Sequence, residues 1–168
     1  MSKISKMVLI SAVSIFSLSC FALEHDGHKA ESKKGVEALS QDLRGLLSQE
    51  MIALEKGVSS LVPQIAAGNW HEIETTAKKI KASYILKQKL TKEQAKELHT
   101  KLPESFVEMD GAFHKDAGML AHAAENKNAE LVNFYFYKMN NACTSCHSKY
   151  ATHKFPSFKN EKEEEHSH

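Results

Sequence analysis

From Val36 to Ile65 an apolar residue returns every three or four positions: Val36, Leu39, Leu43, Leu47, Met51, Leu54, Val58, Leu61 and Ile65. An α-helix turns once in 3.6 residues, so this spacing draws one apolar stripe along a single long helix, predicted over 36–67. Such a stripe needs other helices to cover it. Three more stripes supply them. Trp70, Ile73, Ala77, Ile80 and Tyr84 share one face of a second helix. Phe106, Met109, Phe113, Ala117, Leu120 and Ala124 mark a third, and Val132, Tyr135, Met139, Ala142, Cys146 and Tyr150 a fourth.

The punctuation between the stripes agrees with helices. Pro63 is predicted to bend the first helix and Gly68 to end it. Asn69 with Glu72 forms a capping signal for the second helix, and Thr91 with Gln94 opens a short helix in the connection that follows. Pro103 begins the third as a first-turn proline, Asn128 caps the fourth, and Pro156 lies past its end. The chain has 168 residues with only seven Gly and three Pro, a length and composition for one all-helical domain. The fold class expected is all-α, an antiparallel four-helix bundle over residues 36–155. No strand signal or internal repeat competes with it.

Residues 1–22 read as a secretory signal peptide: Lys3 and Lys6 form a basic start, and MVLISAVSIFSLSCFA an apolar stretch ending in small residues. Cleavage after Ala22 releases a soluble chain. The other exit is a lipid-modified Cys20, although Ser17 stands where lipoprotein signals usually have Leu. Both place the folded domain outside the cytoplasm, in the periplasm. Residues 23–35 are polar and predicted disordered, and 156–168 form a charged, His-containing tail. Lys3 and Lys6 are two of the 22 basic residues, which leaves 20 against 21 acidic ones. That balance gives nucleic-acid binding no support, and no later segment is long and apolar enough for a transmembrane span.

Beyond residue 22 the only cysteines lie in Cys143-Thr144-Ser145-Cys146-His147. On a helix, residues three apart lie on neighbouring parts of one face. Two thiols so spaced can add to the two vinyl groups of one porphyrin, and the adjacent imidazole can reach its iron. The expected cofactor is therefore one covalent haem c held by Cys143 and Cys146, with His147 as proximal axial ligand. A plain disulfide would not need His147, a thioredoxin-like site would want a βαβ context, and a structural zinc would have to recruit His153 with some strain.

With these residues in place the chain resembles the class II cytochromes c, meaning cytochrome c′ and its c-556-like relatives. The likeness covers most of residues 36–151. It is carried by helix order, by the run from Phe113 through Leu120, Ala123, Ala124, Asn128 and Phe136 to CTSCHSKY, and by Tyr150 three residues beyond His147. Two positions depart from the family habit. Ala151 follows Tyr150 where Arg or Lys is common, and Leu47 stands where the first helix often has Arg, which leaves the propionate contacts unassigned.

The resemblance also places Met51 near the sixth position of the iron, where Met implies a low-spin electron carrier and an apolar residue an open, gas-binding iron. A thioether is soft and neutral, and His/Met ligation suits electron transfer at raised potential. A Met on an apolar stripe is equally ordinary core filler. His114, beside Phe113 on a helix rich in small residues, is the competing ligand, and an empty sixth position is the third outcome. Trp70, Phe113 and Tyr135 either line the porphyrin or fill the core.

The leading expectation is a periplasmic electron-transfer cytochrome serving redox partner proteins. No acid/base pair or nucleophilic constellation beside the motif points to an enzyme. The rival is a five-coordinate binder of NO or CO. A third reading is metal handling by the His-rich termini through His25, His28, His166 and His168. The resemblance further implies a homodimer through the first two helices.

Overall fold

The computed structural model describes residues 35–159. The predicted leader, Cys20, the four terminal histidines just named and the end of the tail lie outside the described residues.

Within them a short 3-10 turn, Val36–Ala38, precedes six α-helices: α1 Gln41–Ala66, α2 Trp70–Ala82, α3 Leu86–Lys89, α4 Lys92–Lys101, α5 Glu104–Glu125 and α6 Ala129–Tyr150. The four long ones make the antiparallel bundle. The first stripe is therefore split. Val36 and Leu39 precede the helix, because Ser40 takes an extended ψ of 156° and its hydroxyl accepts from the Leu43 N–H as an N-cap. Helix α1 runs on through Pro63 to Ala66.

Gly68, at φ 65°, ends α1 in a Schellman closure: its N–H donates to Ile65 O at 3.0 Å, and Asn69 N–H donates to Gln64 O at 2.9 Å. Asn69 is the N-cap residue of α2, but its ψ of 68° carries the side chain away and no capping bond forms. Thr91 and Gln94 close a reciprocal capping box on α4. Pro103 stands at the N-cap of α5 rather than in its first turn, and Asn128 caps α6 by accepting from Leu131 N–H. Tyr84 lies past the end of α2, because Ser83 leaves the helix at φ 60°.

The core forms two clusters. The larger joins Leu54, Val58 and Leu61 of α1 to Ile73, Ala77 and Ile80 of α2, to the α5 face from Phe113 to Ala124, and to Val132 and Met139 of α6. The smaller gathers Leu39, Leu43 and Leu47 with Leu102, backed by Leu86, Leu90, Leu98 and Phe106. It fastens the α3–α4 connection across one end of the bundle, helped by Ser40, whose N–H and hydroxyl both donate to Glu97. Helices α1 and α2, α2 and α5, and α5 and α6 pack closely; α1 and α6 barely meet. The bundle is open along that one seam.

Candidate functional site

The open seam is a cleft of about 1050 Å³. That is at the upper end of small-molecule and cofactor sites, roughly 300–1,000 Å³. Cys143, Cys146, His147 and Tyr150 enter it from α6, while Arg44, Leu47, Met51, Leu54 and Val58 enter it from α1. Phe106, Met109, Asp110 and Phe113 of α5 form its floor.

The periodicity of α1 explains the lining. Arg44, Leu47, Met51, Leu54 and Val58 are spaced by three and four, so one face of the helix borders the seam over four turns. Leu47 on one side and Leu54 and Val58 on the other are covered by the two core clusters, whereas Met51 falls between them and stays 36% exposed. Next to it Glu50 turns inward and is fully buried. Its carboxylate accepts from the Ser83 hydroxyl at 2.8 Å and from the backbone N–H groups of Tyr84, Ile85 and Leu86. This anchor holds α1 in rotation and register against the α2–α3 corner, and so presents Met51 to the cleft.

On α6 the two thiols are free and half-buried. Burial pushes both up from the ordinary thiol range, and for Cys146 the Asp110 carboxylate adds to the effect. Burial pushes the His147 imidazole down, which favours its neutral form. Tyr150 fixes the end of the helix: its hydroxyl pairs with that of Ser105 at 2.6 Å, and its ring stands edge-on to Phe106 at 5.1 Å. Past the helix the chain turns back, and the Phe155 ring lies on the His147 imidazole.

His114, the competing ligand, does not belong to this site. It is buried on the α2 side of α5, with Nδ1 2.7 Å from Ile80 O and Nε2 3.5 Å from Asp110. The small residues around it admit a neighbouring helix instead: the aliphatic stem of Lys81 crosses Gly118, where a Cβ would sit 3.1 Å away. Of the aromatic candidates only Phe113 reaches the cleft; Trp70 and Tyr135 pack against the core. His153 lies 3.8 Å from Glu37, and among the described residues no three His, Cys, Asp or Glu side chains converge as a metal site.

Arg44 and Phe155 were not picked out by the sequence reading. Arg44 takes the charged position on the cleft wall three residues before Leu47, and its guanidinium donates to Glu37 O at 3.1 Å. Its place on the Leu47–Met51–Leu54 face was the available signal. Nothing local marks Phe155.

The donor set fits a covalent haem. Two thiols and an imidazole stand on one wall, a thioether on the other, apolar side chains lie between them, and a cation lines the cleft. Residues 33–151, more than half of the chain and all four bundle helices, match the family model described as Cytochrome C′. No curated protein and no solved structure matches the chain.

Proposed function

Because the chain belongs to the cytochrome c′ family, we propose that it is an exported, one-haem electron carrier of the periplasm. In this reading Cys143 and Cys146 form the two thioether bonds, His147 is the proximal ligand and Met51 the distal one. The observation that carries it is the open α1–α6 seam, with His147 and Met51 entering from the two helices that flank it. When bound, the haem supplies an iron centre that takes up and returns one electron.

The side chains account for the rest. His147, whose burial favours the neutral form, offers a nitrogen lone pair. Met51 offers a second uncharged donor, and a soft thioether favours the reduced metal. Leu47, Leu54, Val58 and Phe113 keep water from the space between the two ligands. Arg44, on the cleft wall, would give a porphyrin carboxylate a cationic partner in place of the Arg that relatives often carry where this chain has Leu47. Lys154 stands in reach of the same cleft.

A visible spectrum tests the ligation. The reduced protein is expected to show a sharp low-spin α-band and to bind CO slowly. Met51→Ala is expected to turn the spectrum high-spin and to speed CO binding at least tenfold. A wild-type protein that is already high-spin and takes up CO at once would remove Met51 and leave the gas-binding reading. Intact mass of the exported chain tests the attachment, one added haem being the expected result.

A further inference from the structure

No protein group among the described residues hydrogen-bonds either ring nitrogen of His147. This is unusual for an imidazole that holds a metal, since its second nitrogen normally donates to a carboxylate or carbonyl that fixes the ring's orientation. Without such a bond the ring can rotate about its bond to the metal unless packing prevents it.

The segment after α6 supplies that packing. Helix α6 closes with Ala151 N–H donating to His147 O at 3.0 Å. Ala151 then leaves the helical region at φ −129°, ψ 22°. Lys154 and Phe155 both donate their N–H groups back to Ala151 O, at 2.9 and 3.1 Å, and the turn reverses the chain. Phe155, eight residues beyond His147, is thereby laid flat on the imidazole, with centroids 4.6 Å apart and planes 17° from parallel. The ring remains 41% exposed, so general core burial does not explain its placement.

Resting on the reading that His147 holds the iron, we infer that Phe155 is a positioning residue that sets the rotation of the proximal imidazole. The metal-binding lone pair lies in the plane of the imidazole, so a group against the ring's face leaves the lone pair free while blocking rotation. An apolar ring does this without charge. A carboxylate in the same role would raise the basicity of the ligand and favour oxidised iron.

The test uses the full chain, matured in cells that attach haem, as wild type and as Phe155→Ala, Phe155→Leu and Phe155→Tyr. Intact mass first reports one covalent haem per chain. Proton NMR of the oxidised protein then reads the haem-methyl resonances, whose order and spread follow the plane of the axial imidazole. Phe155→Ala and Phe155→Leu are expected to reorder the methyl resonances, and Phe155→Tyr to keep the wild-type order. Should Phe155→Ala fail to mature, the contrast between Leu and Tyr decides. A wild-type pattern in haem-loaded Phe155→Ala, or in Phe155→Leu, would overturn the positioning role while leaving the ligation intact. A wild-type chain without added haem mass would overturn the ligation, and the positioning role with it.

Discussion

Glu50 is the most buried acid among the described residues, and every hydrogen bond it accepts comes from the corner between α2 and α3. Removing the carboxylate leaves three backbone donors and a hydroxyl without their acceptor. Glu50→Ala is therefore expected to destabilise the protein by about 3 kcal/mol, read as a lower urea midpoint with little change in slope. Tyr150→Phe removes one half-buried hydroxyl pair and is expected to cost about 1 kcal/mol by the same measurement. Residue identity alone gave no warning of the Glu50 anchor, because a glutamate in a helix is normally a solvated one. The same limit applies to His114. A histidine among small residues reads as an accessible ligand, and only the packing of α2 over it turned it to Ile80 O.

Helix ends were the elements most open to local reading, and backbone angle separates the caps that form from the one that does not. Thr91–Gln94 and Asn128 cap as expected, because each residue takes an extended backbone and has its own side chain free to bond. Asn69 does not, since its backbone, at ψ 68°, lies outside the extended range that Asn128 keeps, although both residues close the preceding helix through their N–H groups. The α5–α6 corner is a second Schellman closure, with Lys127 and Asn128 donating to Ala124 O and Ala123 O. Here a lysine, at φ 52°, occupies the left-handed position that glycine fills after α1. Lys127→Gly is expected to raise stability by about 0.5–1 kcal/mol, and Asn128→Ala to lower it by about 1 kcal/mol, both by thermal or urea unfolding. If glycine at 127 destabilised the chain, the left-handed strain would not be the controlling cost.

The described residues form a bundle with three closed helix interfaces and one open seam. Helix α1 depends on that seam: one face packs on α2, while Met51 and Ile52, at 36% and 50% exposed, face α6 only across the cleft. A variant that cannot attach haem, Cys143→Ser with Cys146→Ser, is expected to loosen α1 selectively. Its amide hydrogens should exchange about tenfold or more faster than in the haem-loaded protein, with much smaller changes in α2 and α5. Equal loosening of all four helices would mean that the seam is not where the cofactor contributes its stability.

The four long helices, the bundle class and the cysteine pair with its histidine were readable from the amino-acid order, because each depends on residues within a few positions of one another, whereas the one-turn helix α3 carries no such signal. An apolar period makes a helix face, and a three-residue spacing sets two thiols side by side. Tertiary structure alone decided which helix pair stays apart, that His114 turns away from the seam where the resemblance had put Met51, that Arg44 lines it and that Phe155 covers the imidazole. Those choices rest on how helices rotate and dock against one another. Burial of Glu50 at one corner and the turn at Ala151 at another set them, through contacts between residues far apart along the chain.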